Sequence, residues 1–254
     1  MSQKETKESS SVPIIQVKGI TKKYGKKVVH RGIDLDVYDG EILTLMGGSG
    51  CGKSVLLRSL IGLEKPDRGQ ILFHGQDIAQ MDEEQLTEVR KKVAYVFQYG
   101  ALFDSLTVKD NLAYPLREHT KMTEDEIHQK VIKTLGKVGL EGVENQFPSD
   151  LSGGMQRRVG VARSIIMDPE VILYDEPTTG LDPYNTKQIL RIIKELRDHG
   201  ATTVLVTHDM HSIFTVTDRI AFMRDGLIDE IGQRDVIRKS SNDAVQRFIH
   251  GETP

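Results

Sequence analysis

The sequence feature that most constrains this chain is the glycine-rich run between positions 47 and 54, which fits the pattern G-x-x-x-x-G-K-[ST]. A simple turn is the alternative, but apolar runs on both sides predict a strand before the loop and a helix after it, which favours phosphate binding. Glycines let such a loop direct N–H groups at phosphate oxygens, the lysine would neutralise the phosphates, and the serine hydroxyl would bind Mg²⁺. The predicted nucleotide-binding residues here are Gly47, Gly48, Ser49, Gly50, Cys51, Gly52, Lys53, Ser54 and the adjoining Val55.

The overall composition is that of a globular chain that is not held to its partners by bulk charge. The 254 residues carry 34 basic and 37 acidic side chains, a net charge of −3, which argues against electrostatic binding to DNA or acidic lipid. Cys51 is the only cysteine, so intramolecular disulfides are excluded and a reducing compartment is expected. No run reaches the roughly 18 apolar residues that span a bilayer. Residues 1–12 predict a disordered tail without a signal peptide, and a soluble cytoplasmic protein is expected.

Alternating strand and helix patterns predict an α/β fold with a mainly parallel sheet. Apolar runs typical of strands buried on both faces occupy 93–97, 171–175 and 202–207. Near the N-terminus, shorter strand patterns are separated by glycines such as Gly32, which we expect to mark turns. Asp225-Gly226 is expected to turn a hairpin near the C-terminus.

Two helices have clear start and stop signals. A capping box at Thr123 begins one helix, which should place Ile132 on its apolar face and stop at Gly139. Asp182, followed by proline, begins another that should end at Gly200.

The apolar run that starts at Val171 ends in two carboxylates, Asp175 and Glu176. Asp175 would complete the Mg²⁺ shell, and Glu176 would polarise a water in line with the γ-phosphate. Such a pair is often only a solvated strand end, but next to a phosphate loop it favours a metal and water site.

A third motif, the sequence LSGGMQRR that begins at Leu151, makes the chain resemble the ATPase subunits of ABC transporters. In that family the motif opens a helix whose N-terminus faces the γ-phosphate held by the other protomer. The resemblance implies this role for Ser152, Gly153 and Gly154, and a serine with two glycines suits it because the N–H groups at a helix start are positively polarised. An ordinary serine-capped helix is the alternative.

Further residues match the same family in the expected order. Tyr24 corresponds to the aromatic residue that stacks on adenine, and Gln98 to the glutamine that contacts Mg²⁺ or the attacking water. His208 corresponds to the histidine that contacts the γ-phosphate, and 180–182 to a loop that communicates across the dimer, although Asp182 could equally be a plain helix cap. Packing or solvation is the alternative for Tyr24 and Gln98. One departure is Val55, where many members have threonine, which leaves the nucleotide affinity open.

The stretches 97–104 and 111–120, with Met155 after the LSGG motif, resemble the ATPases of the Mla (maintenance of lipid asymmetry, or toluene-tolerance Ttg2-type) systems. The end of the chain, 242–252, is similar as well. This resemblance implies transport of phospholipid, a membrane permease of the MlaE kind, an MCE-domain lipid-binding protein and possible regulation by a STAS-domain protein. Packing residues of a generic importer ATPase are the alternative reading of these stretches.

Residues 97–120 include Gln98 and the stretch after it, where ABC ATPases receive the coupling helix of their permease. The segment mixes apolar with charged side chains, and we expect it to retain apolar surface for a partner. A charge at Leu102 or Phe103 is therefore expected to uncouple the ATPase from its permease.

The resemblance also implies the domain organisation: a single P-loop NTPase domain of ABC ATPase type over 13–235. Its core would cover about 13–98 and 166–235 with an antiparallel β subdomain, its helical subdomain about 99–165, and 236–254 would form a helical extension.

We therefore expect a homodimeric ATP hydrolase that uses ATP and Mg²⁺ to move phospholipid between bacterial membranes. Its location would be the cytoplasmic face of the inner membrane, held there by the permease, and no nucleic acid is expected as a partner. The ATPase of a solute importer is the alternative, and a soluble ABC ATPase that acts as a scaffold or on nucleic acid is a further one.

Overall fold

The computed structural model describes residues 12–252, so the predicted tail at 1–12 lies outside the described residues except for Val12. Within this range the strands form two sheets. The strands are β1 Ile15–Tyr24, β2 Lys27–Val37, β3 Ile42–Gly47, β4 Arg68–Phe73, β5 Gln76–Asp77, β6 Val93–Val96, β7 Val171–Asp175, β8 Thr202–Val206, β9 Arg219–Arg224 and β10 Leu227–Gln233.

The larger sheet has the order β10-β9-β3-β8-β7-β6. Five adjacent strands of this sheet are parallel to one another: β9, β3, β8, β7 and β6. The remaining strand, β10, pairs antiparallel with β9 through the predicted turn at Asp225-Gly226. Every residue of β3 and of β8 is buried, as expected for strands covered on both faces. The prediction of an α/β fold with a mainly parallel sheet is confirmed.

The smaller sheet is antiparallel, with the order β2-β1-β4-β5. Gly32 does not end a strand, as the sequence suggested, but lies inside β2 with a φ of 116°. The pairing with β1 changes register between Arg31 and Ile33 at this point, so Gly32 forms a bulge and not a turn.

Helices cover both faces of the larger sheet. They are α1 Lys53–Ser59, α2 Glu83–Lys92, α3 Val108–His119, α4 Glu124–Lys137, α5 Gly153–Ile165, α6 Pro183–Asp198, α7 Met210–Val216, α8 Arg234–Ile237 and α9 Asp243–Ile249. None of the helices within residues 12–252 has the length and apolar character needed to cross a membrane.

The signals that predict helix ends correspond to observed caps. Thr123 and Glu126 form the predicted capping box at the start of α4, and Asp182 caps α6. Ile132, however, is 38% exposed. The buried stripe of α4 passes through Ile127, Val131 and Leu135 at four-residue spacing, and Ile132 lies beside it.

The larger sheet separates two apolar cores. Alternate side chains of its strands, such as Leu43 and Val204, pack with the antiparallel sheet, α1 and α2. Those pointing the other way, such as Ile42 and Tyr174, pack with α3, α4, α5 and α6. Helices α3, α4 and α5 lie between β6 and β7 in the chain, where a helical insertion was predicted; the exact subdomain boundaries, and those of the C-terminal extension that contains α8 and α9, remain predictions.

Two residues expected to end strands lie just beyond them. β6 ends at Val96 and β8 at Val206, so Gln98 and His208 occupy the loops that follow. The parallel ladders stop at the pairs Val96–Tyr174 and Asp175–Val206, and side chains in the loops beyond can turn over the edge of the sheet.

Candidate active site

The glycine-rich loop leaves β3 at Gly47 and enters α1 at Lys53. Gly47 and Gly52 have φ values of 155° and 105°, which favour glycine. A Cβ atom on Gly47 would lie 2.3 Å from the carbonyl oxygen of Met223 on β9, and one on Gly52 would lie 2.8 Å from Nε2 of His30. The loop therefore needs glycine at both positions for its angles and its close packing.

Lys53 is buried with its ammonium group inside the loop. Its Nζ donates hydrogen bonds to the carbonyl oxygens of Gly47 at 2.8 Å and Gly48 at 2.9 Å. Both acceptors are neutral, so the positive charge of Lys53 remains to attract an anion in the adjoining cavity.

Ser54, Asp175 and Tyr95 form a chain of oxygen contacts beside the loop. Oγ of Ser54 donates to Oδ1 of Asp175 at 2.8 Å, and the Tyr95 phenol donates to Oδ2 at 2.8 Å. Burial, reinforced by the hydrogen bond to Asp175, raises the pKa of the Tyr95 phenol, so that this group remains a donor at neutral pH. Hydroxyl and carboxylate oxygens are ligands that Mg²⁺ prefers. Ser54 and Asp175 therefore suit a hard cation, and Tyr95 fixes the orientation of the carboxylate.

Glu176 directly follows β7 and has a φ of 51°, in the left-handed region. Its backbone N–H donates to the carbonyl oxygen of Val206 at 2.9 Å, which holds this turn against β8. Its Oε1 lies 2.9 Å from Nδ1 of His208, and its Oε2 accepts from the Thr179 hydroxyl at 3.0 Å. Both carboxylate oxygens are thus oriented, and the group can accept a proton from a water.

A cavity of about 680 Å³ brings most of the predicted residues together. Its lining includes Tyr24, Gly47, Ser49, Gly50, Gly52, Lys53, Ser54, Val55, Gln98, Glu176 and His208. Asp175 reaches it through Ser54. Gly48 and Cys51 line a separate cavity of about 320 Å³ behind the loop, next to Met223 and Phe248, and not the larger one.

Tyr24 offers an aromatic surface at the edge of the larger cavity. Its ring is 45% exposed, and Nζ of Lys22 lies 5.1 Å from the ring centroid. Lys22 also forms an ion pair of 2.5 Å with Glu64. Burial and a hydrogen bond to Glu64 raise the pKa of the Tyr24 phenol. The ring is thus anchored near Lys22 and Glu64, and its exposed part can stack on a planar base.

Besides Gly48 and Cys51, four predicted binding residues lie outside the larger cavity: Ser152, Gly153, Gly154 and Asp182. Ser152 caps α5 and Asp182 caps α6, and Ser152 and Gly153 are exposed. A Cβ atom on Gly154 would lie 2.2 Å from Cγ of Asn185, whose amide nitrogen donates to Asp182 at 2.6 Å. The starts of α5 and α6 therefore pack together through Asn185, apart from the phosphate loop of the same chain.

Three supporting residues could not be found from the sequence. Tyr95 and Thr179 hold the two carboxylates, and fully buried His30 places its Nε2 3.0 Å from the carbonyl oxygen of Gly52. Only the position of Thr179, close after the two carboxylates in the sequence, offered a signal. Tyr95 and His30 belong to ordinary strand patterns, and their contacts depend on how the chain folds.

The segment after Gln98 forms an apolar groove of about 510 Å³ with neighbouring helices. Phe103 and Tyr114 line it, each about half exposed, with ring centroids 5.5 Å apart. Leu116 is instead fully buried, and Leu102 packs partly against the core. A charge at Leu102 would therefore disturb folding, which leaves Phe103 as the residue that tests this surface.

Comparison with known proteins places the chain among ABC transporter components. Residues 30–179 match the family described as "ABC transporter". The chain is 42% identical over 238 residues to the "Probable ribonucleotide transport ATP-binding protein mkl" of Mycobacterium leprae, covering 93% of this chain and 69% of that protein. It is 40% identical over 241 residues to the "Intermembrane phospholipid transport system ATP-binding protein MlaF" of Haemophilus influenzae, covering 94% of this chain and 91% of that protein. The MlaF protein of Escherichia coli is 37% identical over 245 residues, again covering 91% of that relative.

Among solved structures, the fold is similar to that of the ATP-binding cassette MJ0796 in a dimeric post-hydrolysis state bound to ADP and Pi. The TM-score is 0.80 at 31% sequence identity, and the match covers 87% of this chain and 98% of the other. A second dimeric structure of the same cassette matches equally well.

Proposed function

Because the chain belongs to the ABC transporter family and is an ATP-hydrolysing subunit of such a transporter, we propose that it drives phospholipid movement between bacterial membranes. Its partner in this role is a separate membrane permease of the MlaE kind. An MCE-domain lipid-binding protein would receive or supply the lipid, and a STAS-domain protein would regulate the ATPase. The ATPase would lie on the cytoplasmic face of the inner membrane, attached through the permease.

The larger cavity has the donor set that ATP with Mg²⁺ requires. Lys53 and the loop glycines would bind the phosphates, and Tyr24 would stack on adenine. Ser54, Asp175 and Gln98 would hold Mg²⁺, which neutralises phosphate charge when it is bound. Val55 has no side-chain hydroxyl that could donate a hydrogen bond to the phosphates. We propose that this difference affects the affinity for the nucleotide.

Glu176 is proposed as the group that takes a proton from the attacking water. His208 orients one of its oxygens and Thr179 the other, so the carboxylate is already fixed before the water arrives. Gln98 lines the same cavity and would orient the water from the opposite loop.

The proposed active form is a dimer with two shared sites. Ser152, Gly153 and Gly154 do not reach the phosphate loop of their own chain, and Ser152 and Gly153 are exposed. In a dimer they would meet the γ-phosphate bound by the other copy, with Asp182 close by. The dimeric cassette structures that match this chain support such an arrangement.

One observation carries the phospholipid assignment. The match with the H. influenzae phospholipid transport protein covers 94% of this chain and 91% of that protein, whereas the match with the M. leprae ribonucleotide transport protein covers 69% of that protein. The match with the phospholipid transport protein includes the apolar groove formed by Phe103 and Tyr114. This groove begins just after Gln98, so a permease helix seated there would contact the segment that leads directly from the nucleotide cavity.

The test is reconstitution with a permease of the MlaE kind, in vesicles of bacterial phospholipid. We expect lipid-dependent stimulation of ATP hydrolysis and movement of a fluorescent phospholipid, and we expect the complex built with Glu176→Gln to move none. Normal assembly with no lipid movement and no lipid-dependent hydrolysis would contradict the proposal.

A solute importer is the second candidate, because the chain is 42% identical to a protein named for ribonucleotide transport. In the same vesicles this function predicts stimulation by a ribonucleotide and not by phospholipid. Failure to assemble with any permease would instead favour a soluble ABC ATPase.

A further inference from the structure

Among the described residues, 12–252, the buried charge of Arg157 on α5 has no carboxylate partner. Its side chain is among the buried polar groups of the chain, and its Nη1 has no hydrogen-bond partner within residues 12–252. Burial lowers the pKa of its guanidinium. An arginine buried in this way costs stability compared with an apolar residue of similar length, so its presence calls for a role beyond packing.

The guanidinium of Arg157 joins three separate segments of the chain. It belongs to α5, the helix that Ser152 begins, and its Nη2 donates to the carbonyl oxygen of Thr179 at 3.0 Å. On its other side it lies over the ring of Tyr99, with 4.9 Å between Cζ and the ring centroid. Tyr99 follows Gln98 directly and is 75% exposed.

Thr179 connects this arginine to Glu176. The Thr179 hydroxyl donates to Oε2 of Glu176 at 3.0 Å, and its backbone N–H donates to the Glu176 carbonyl oxygen at 3.3 Å. Glu176 has a left-handed backbone, which surrounding contacts must hold in place. Arg157 therefore holds the backbone carbonyl of Thr179, and the hydroxyl of Thr179 holds the carboxylate of Glu176.

We propose that Arg157 is a positioning residue that holds the Glu176 carboxylate through Thr179 and makes its orientation depend on the exposed ring of Tyr99. The inference rests on the proposed role of Glu176 in hydrolysis. A change in the position of the Tyr99 ring alters its contact with the guanidinium, and the Arg157–Thr179 hydrogen bond carries that change to Glu176. The two alternative states of the site differ in whether the hydrogen bond between Arg157 and the Thr179 carbonyl is formed or broken.

The proposal predicts that loss of Arg157 slows ATP turnover but leaves nucleotide binding unchanged. Arg157 does not line the nucleotide cavity, so its loss leaves the binding groups untouched. Arg157→Met keeps the length of the side chain and removes every donor. We expect this variant to lower kcat about fivefold or more, with KM for Mg-ATP and the Kd of a fluorescent ATP analogue within about twofold of wild type. We also expect the unfolding temperature of this variant to equal or exceed that of the wild type, because the substitution removes a buried charge.

Arg157→Lys is the conservative comparison. A lysine ammonium can donate to the Thr179 carbonyl but lacks the planar group that covers Tyr99. We expect its kcat to lie between those of wild type and Arg157→Met. If Arg157→Met does not fold, Arg157→Lys carries the test by itself, and a wild-type kcat in that variant then contradicts the role of the planar guanidinium.

Two double-mutant cycles show whether the effect travels through the named contacts. Thr179→Val removes the hydroxyl bond to Glu176, and we expect Arg157→Met to add little to its loss of kcat because both act on the same carboxylate. Tyr99→Leu is expected to lower kcat in the wild-type background and to have no effect when residue 157 is methionine.

Several results would overturn the inference. These are a wild-type kcat in Arg157→Met, a double variant whose loss equals the product of the two single losses, or equal changes in KM and kcat. Glu176→Gln, measured in parallel, separates this failure from that of the proposed function. Hydrolysis that survives in Glu176→Gln removes the role of Glu176 itself, whereas its loss there beside normal rates in Arg157→Met removes only the role of Arg157.

Discussion

His30 illustrates how a single side chain can shape the phosphate loop without touching the cavity. It is fully buried in β2, burial lowers its pKa, and its Nε2 faces the carbonyl oxygen of Gly52. A neutral imidazole has one N–H, and a carbonyl oxygen can only accept, so the proton lies on Nε2. The bond holds the residue that precedes Lys53, in a glycine conformation that the loop requires.

Replacing His30 with phenylalanine keeps the ring volume and removes the donor. One neutral hydrogen bond contributes about 1 kcal/mol, and a tenfold change in Kd corresponds to about 1.4 kcal/mol, so we expect nucleotide affinity to fall about fivefold. The measurement is titration of the purified variant with a fluorescent ADP analogue.

His128→Phe is the matched control, because His128 on α4, like His30, has a buried Nδ1 with no hydrogen-bond partner in the described part of the chain, but His128 lies outside the nucleotide cavity. It should bind nucleotide as wild type does, and His30→Gln, which retains a donor, should recover part of the affinity. Wild-type affinity in His30→Phe would mean that the imidazole only fills space.

At the scale of elements, α5 and the segment after Gln98 are closely joined. A Cβ atom on Gly160 would lie 2.7 Å from Cα of Gly100, so helix and loop backbones touch. Arg163 donates to the carbonyl oxygens of Gly100 and Ala101, and buried Asn111 bonds the backbone on either side of the next turn. The groove that we assign to the permease therefore has a backbone fixed by α3 and α5.

Phe103→Glu places a charge in this groove without altering the nucleotide cavity. We expect loss of co-purification with the permease and of lipid-stimulated hydrolysis, because the substitution removes the aromatic ring that a partner would bury and places a charged group in the apolar surface. Hydrolysis by the isolated subunit should stay within about twofold of wild type.

The control is Val236→Glu, which adds the same charge at an exposed apolar position on α8. It should assemble normally. If both variants assemble and respond to lipid as wild type does, the groove is not the docking site.

The sequence predicted those elements whose signals are local. The run from Val171 to Asp175 identifies a buried strand by itself, and Thr123 with Glu126 identifies a helix start, because neighbouring residues decide both. The sequence around Gly32 predicts a turn, whereas the structure has a bulge there, because a bulge depends on the pairing with the neighbouring strand. The contacts of His30 and Arg157 join segments that are separated in the sequence, so no local sequence pattern predicts these contacts.

At the scale of the molecule, the order of the strands explains why one edge of the larger sheet can hold the site. The C-terminal ends of β3, β7 and β8 lie next to one another in the larger sheet, which brings the phosphate loop, the two carboxylates and His208 together. The LSGG motif begins α5 in the helical layer and does not line this cavity. In the proposed dimer, a second copy would supply this motif to the site.

The central claim is that Glu176 performs hydrolysis at a site that two copies share, and Glu176→Gln tests it most directly. The amide has the shape of the carboxylate but cannot take the proton, so the phosphate-binding groups remain intact. Glu170→Gln makes the same change at the opposite end of β7, where the carboxylate pairs with His74 and Lys92 on the surface, and serves as the control.

We would measure ATP turnover and the molar mass of each purified variant with and without Mg-ATP. We expect Glu176→Gln to lose turnover and to become a dimer when ATP is added, while Glu170→Gln hydrolyses ATP as wild type does. Turnover near the wild-type rate in Glu176→Gln, or a monomer that binds ATP without pairing, would contradict the central claim.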